Sequence, residues 1–129
     1  MFQEDFLMRE IARIAQALQR LIGLRQTQRH EEALQTLDEA LDDLLGLGLD
    51  AIDALSADDL ARWIQMEADH DAAQIALALA ALLRERALLL VDAGEAARAA
   101  HTSDKARRLL ALLAPDTPQP LIDALNIHQ

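Results

Sequence analysis

Apolar residues recur at steps of three and four along most of this chain, the spacing that gathers side chains on one face of an α-helix. Over residues 4–24, Leu7, Ile11, Ile14, Leu18 and Leu21 form one seam, with Arg9, Arg13, Gln16 and Arg20 on the other side. Gly23 and the polar stretch 25–28 predict the end of that helix. A second helix is expected over residues 28–45. Its apolar face is Leu34, Leu37, Leu41, Leu44 and Leu45, and its wet face holds Glu31, Glu32, Asp38, Glu39, Asp42 and Asp43. Gly46-Leu-Gly48 should stop it, because glycine readily takes the left-handed conformation of a helix end.

Residues 50–55 read as a single turn or a short helix. Ser56-Ala-Asp-Asp59 has the form of a capping box with Asp in place of Glu, so another helix should begin there, with Leu60, Trp63 and Ile64 inward. Residues 72–91 are apolar nearly all round, which predicts a central helix covered on several sides. Neither glycine nor proline occurs between Leu49 and Ala93. A single helix over 57–92 would be too long for a compact domain of this size, so a break is expected at 67–71. A further helix over 95–113 follows, with a bend predicted at His101-Thr-Ser-Asp104. Pro115, Pro118 and Pro120 then limit the chain to a short last helix over 121–125. Nothing alternates with period two, so no strand is expected.

The reading is all-α: five to six antiparallel helices around one core. A single domain, 1–129, divides into a first helix (1–25), a second (28–48), central helices (50–92) and C-terminal helices (95–126). Composition agrees, since alanine and leucine supply 26 residues each and aromatics only three, Phe2, Phe6 and Trp63. Trp63 reads as a core anchor. With no cysteine, disulfides, thiol nucleophiles and Cys-ligated metals are excluded. The longest apolar run, nine residues from Ile75 to Leu83, falls short of the roughly 20 needed to span a bilayer, so no membrane association is expected. No leader is recognisable at the start, which makes a cytoplasmic location the expectation.

Charge is segregated. Residues 1–29 carry five arginines against three acids, and residues 30–71 carry thirteen acids against Arg62 alone; the remainder balances at six of each. A net charge of −10 repels phosphate backbones, so nucleic acid is not an expected partner.

Two stretches, Ala33-x3-Leu37-x2-Ala40 and Ala106-x3-Leu110-x2-Leu113, resemble the second helix of a tetratricopeptide repeat. Gly94, twelve residues before Ala106, stands where such repeats have a small residue in their first helix; Leu21 departs from this before Ala33. The resemblance implies helices stacked as tetratricopeptide-like hairpins, with a groove for a protein or peptide partner. The opening Asp5-Phe-Leu-Met-Arg-Glu-Ile11 is also similar to the start of an uncharacterised bacterial family of short helical proteins with no assigned activity.

Two acidic groups are candidates for chemistry. Glu67-Ala-Asp-His70 places a carboxylate and an imidazole on one helix face, as in di-iron bundles, which use the motif twice; it occurs here once. A polar helix end facing water explains the same residues. Glu39-x2-Asp42 resembles the carboxylate pairs by which all-α nucleotide pyrophosphohydrolases hold magnesium, with Glu67 and Asp71 as partners. Basic residues for substrate phosphates are missing near both pairs. His101 has no ligand partner near it in sequence. The expected function is therefore a non-catalytic interaction or scaffold module without a cofactor. Leu7, Ile11, Ile14, Leu18 and Leu21 are its contact residues, and association as a homodimer is a second expectation. The alternative is a divalent-metal-dependent nucleotide hydrolase using the acids of 39–71.

Overall fold

A computed structural model describes the backbone of residues 4–127 and their side chains except at positions 4–7 and 69. Seven α-helices and no strand occur among the described residues: α1 (Glu4–Gln26), α2 (His30–Leu45), α3 (Leu49–Ala54), α4 (Ala57–Ala68), α5 (Ala72–Asp92), α6 (Ala96–Leu113) and α7 (Gln119–Asp123). The break expected at 67–71 is a 3-10 turn, Asp69–Asp71, between α4 and α5. The short segments α3 and α7 bring the number of helices to seven rather than five or six. No helix of the described residues is long and apolar enough to cross a membrane.

Helix α5 has almost no polar face, and it packs against α1, α2, α4 and α6. The core follows from this: Leu21, Leu37, Leu41, Leu44, Leu60, Ile64, Leu79, Leu83 and Leu109 are nearly inaccessible and belong to one apolar cluster. Even α5's charged residues are drawn in. Glu85 is buried and reaches Arg25 of α1 and Arg84, both at 3.4 Å, which compensates the cost of removing its charge from water. Arg84 also donates to the Ala124 carbonyl at 2.8 Å, tying the C-terminal segment down.

Helix α1 does not stop at Gly23; it continues to Gln26 and closes through Gln28 in the left-handed region, φ +60°. Arg29 N–H donates to the Leu24 carbonyl at 2.8 Å and Gln28 N–H to the Arg25 carbonyl at 3.1 Å, which is a Schellman closure. The turn between α5 and α6 repeats it: Glu95 donates to Leu90, Gly94 to Val91, and Gly94 has φ +78°. Gly94 therefore lies in a turn and not inside a first helix, against the repeat register. Ala33 and Ala99 each make the bond that starts the next helix, to Arg29 and Glu95. Counted from the turns, Ala33 thus matches Ala99 and Ala40 matches Ala106, two helical turns from the spacing read in the sequence.

Helix α2 runs from His30 and ends at Leu45, closed by Gly46 at φ +70°. Ser56 caps α4 as expected, its Oγ accepting the Asp59 N–H at 3.0 Å. The bend predicted at 101–104 is absent, and α6 is continuous. Thr102 turns its hydroxyl onto the Arg98 carbonyl at 2.9 Å, a bond within the helix that leaves α6 continuous, and Ser103 beside it is buried. Trp63 is also not a core residue. It is 36% exposed, and its indole N–H donates to the Leu45 carbonyl at 3.1 Å, satisfying one orphan acceptor at the end of α2.

Candidate functional site

Three places could carry function: the acidic candidates, the seam of α1, and the junction of α6 with α3. The acids are dispersed. Glu39 and Asp42 sit on α2 but border different grooves. Glu39 lines the groove between α1 and α2, where its carboxylate accepts from Gln35 at 3.3 Å. Asp42 lines a groove of about 310 Å³ beside α4 and α5, together with Asp43 and Glu67. Two of the four residues proposed to share an ion thus meet at one groove, while Glu39 and Asp71 stay out of it. His70 is exposed and lines neither groove. Among the described residues, no three His, Asp or Glu side chains are gathered so that they could hold a metal ion.

The seam of α1 divides in two. Ile14 and Leu21 are buried in the chain's own core with Leu24, and Leu18 packs partly against it. Ile11 remains 37% exposed, Met8 is 65% exposed, and Leu7 lies outside the described side chains. The apolar spacing was real, but its second half is consumed inside the molecule, because α1 packs along α2 and α5.

Between α1 and α2 lies an open groove of about 460 Å³. Its floor is Ile14, Ala17 and Ala40. Arg13 and Arg20 project from α1, two turns apart, and Glu32, Glu39 and Asp43 stand on α2. Arg13 is paired with Glu10 at 3.1 Å, and Glu32 with Arg29. One wall is thus basic and the other acidic, over an apolar base.

The third place was missed in the sequence. Arg98, His101, Thr102 and Lys105 follow the i, i+3, i+4, i+7 pattern on α6, and with Asp53 and Ala97 they line a cavity of about 260 Å³. The repeated basic spacing was the available signal. What completes the site is α3. Lys105 is 7% exposed, and its ammonium donates to the carbonyls of Ile52 at 2.8 Å and Asp53 at 3.2 Å. These are C-terminal carbonyls of α3, the negative end of a helix dipole, where a cation is favoured. Burial pushes the Lys105 amine below its usual 10.5, and the nearby Asp53 carboxylate opposes that shift. The Asp53 carboxylate itself is held by Arg86 at 2.8 Å and lies 3.8 Å from Arg98.

Compared with protein families, curated proteins and solved structures, the chain finds no match in any of the three.

Proposed function

We propose that this protein is a non-catalytic interaction module whose two helix pairs, α1–α2 and α5–α6, act as tetratricopeptide-like hairpins. Its docking site is the α1–α2 groove. The observation that carries the reading is the pairing of a basic wall, Arg13 and Arg20, with an acidic wall, Glu32, Glu39 and Asp43, over the apolar floor of Ile14, Ala17 and Ala40. A suitable partner is an amphipathic segment with small apolar residues along its centre, acids toward α1 and bases toward α2. Exposed Met8 and Ile11 supply further apolar contact on α1. Opposed charges would fix the partner's direction and register more than its affinity. A second copy of the chain is one candidate partner. Nothing in the placement of the carboxylates favours the hydrolase reading over this one.

The test is photo-crosslinking from a benzophenone amino acid at Gln16 or Gln35, exposed residues of the groove, with exposed Ala111 of α6 as control. A discrete adduct is expected at 16 and 35, absent at 111 and lost on Arg20→Glu. Equal labelling at all three positions, or none at the groove, would refute the proposal.

A further inference from the structure

We infer that the cavity between α6 and the end of α3 is a binding site for the oxyanion group of a compact organic ligand, a carboxylate or a phosphate ester, with Lys105, His101 and Arg98 as its recognition residues. The chain carries a net charge of −10, yet this cavity and its immediate support gather Arg86, Arg98 and Lys105. The carboxylates against them are Asp53, taken up by Arg86, and Glu95, which chelates Arg98 at 3.0 and 3.1 Å. Three cations therefore face two anions, and His101 adds a donor in either protonation state.

Lys105 is the centre of the argument. An ammonium has three hydrogens, and here two rest on neutral carbonyls. The third has no acceptor among the described residues, although Lys105 is buried and lines the cavity. Its ionic compensation comes from the nearby Asp53 carboxylate alone, which Arg86 also engages at 2.8 Å, so the buried cation is only partly compensated. An oxyanion seated in the cavity would accept the remaining N–H in a charge-assisted bond, with His101 one helical turn before it. The Thr102 hydroxyl offers the oxyanion no proton of its own, because that proton is committed to the Arg98 carbonyl. At about 260 Å³ the space lies below the usual range for drug-sized ligands, which suits a compact acid and not a dinucleotide. This site is separate from the α1–α2 groove and stands or falls independently of it.

The experiment follows amide shifts in the intact protein during separate titrations with inorganic phosphate and with acetate, ionic strength held constant with sodium chloride. Saturable shifts are expected at residues 97–105 with at least one of the two anions. Affinity should fall at least tenfold in the Arg98→Ala/His101→Ala variant, both side chains being exposed and outside the core. Should that variant unfold, His101→Ala alone serves, with a smaller loss expected. Saturation by phosphate alone assigns the ligand as a phosphate ester, and by acetate alone as a carboxylate. Absence of saturable shifts with both anions, or equal shifts in the variants, would overturn the inference.

Discussion

The Lys105 ammonium lies 2.8 Å from the carbonyl oxygen of Ile52, joining the last long helix to a six-residue helix 53 positions earlier. Helix α3 is too short to persist alone. It is held from both ends: Asp38 of α2 accepts the Leu49 N–H at 2.8 Å at its start, and Lys105 donates to its last carbonyls. Replacing Lys105 with Met should leave those carbonyls without a donor and cost about 2 kcal/mol in urea unfolding.

That cost should depend on pH with a definite sign. The folded protein lowers the Lys105 pKa, so at alkaline pH the unfolded chain binds more protons there than the folded one. The charge penalty is fully present below the folded pKa and is relieved as pH climbs through it toward 10.5. The stability advantage of the wild type over Lys105→Met should accordingly widen as pH approaches 10.5. Parallel urea titrations of the two proteins measure it; a constant or narrowing gap would contradict the buried-cation assignment.

Gln28 pays a conformational penalty at φ +60°, a conformation glycine adopts freely. Gln28→Gly should therefore stabilise the fold by about 1 kcal/mol, and Gly94→Ala at φ +78° should destabilise it by a similar amount. Thermal unfolding followed by circular dichroism gives both signs.

Trp63→Phe keeps an aromatic ring at this position but removes the five-membered ring and the N–H that serves the Leu45 carbonyl. A loss of about 1 kcal/mol is expected. It must be read by circular dichroism, since Trp63 is the chain's single tryptophan.

The two halves of α1 should respond differently. Ile14→Ala opens the core and should cost about 3 kcal/mol at any protein concentration. Ile11→Ser, at a site 37% exposed, should cost under about 1 kcal/mol. If the chain pairs with itself through the exposed half, Ile11→Ser should lower the sedimenting mass while leaving the fold intact. A wild type that sediments as a monomer at high micromolar concentration would remove the homodimer.

Local order determined what the chain disclosed by itself. Three-and-four spacing, the glycine at 46 and the Ser56 cap each act within a few residues, so most helices, the break at 67–71 and the central place of α5 were legible. The last helix starts two residues before the expected 121, with Pro120 in its first turn. The end of α1 was not legible, because a Schellman closure through Gln28 uses no glycine and leaves Gly23 as an ordinary helical residue. Function-bearing geometry was less legible still. Helix rotation decided that Glu39 and Asp42 border different grooves, and packing decided that Ile14 and Leu21 turn inward. Lys105 met Ile52, and Trp63 met Leu45, only because orphan helix-end carbonyls need donors that distant segments happen to supply. Periodicity fixes which face of a helix is apolar; only packing in three dimensions fixes what that face, and each helix end, will touch.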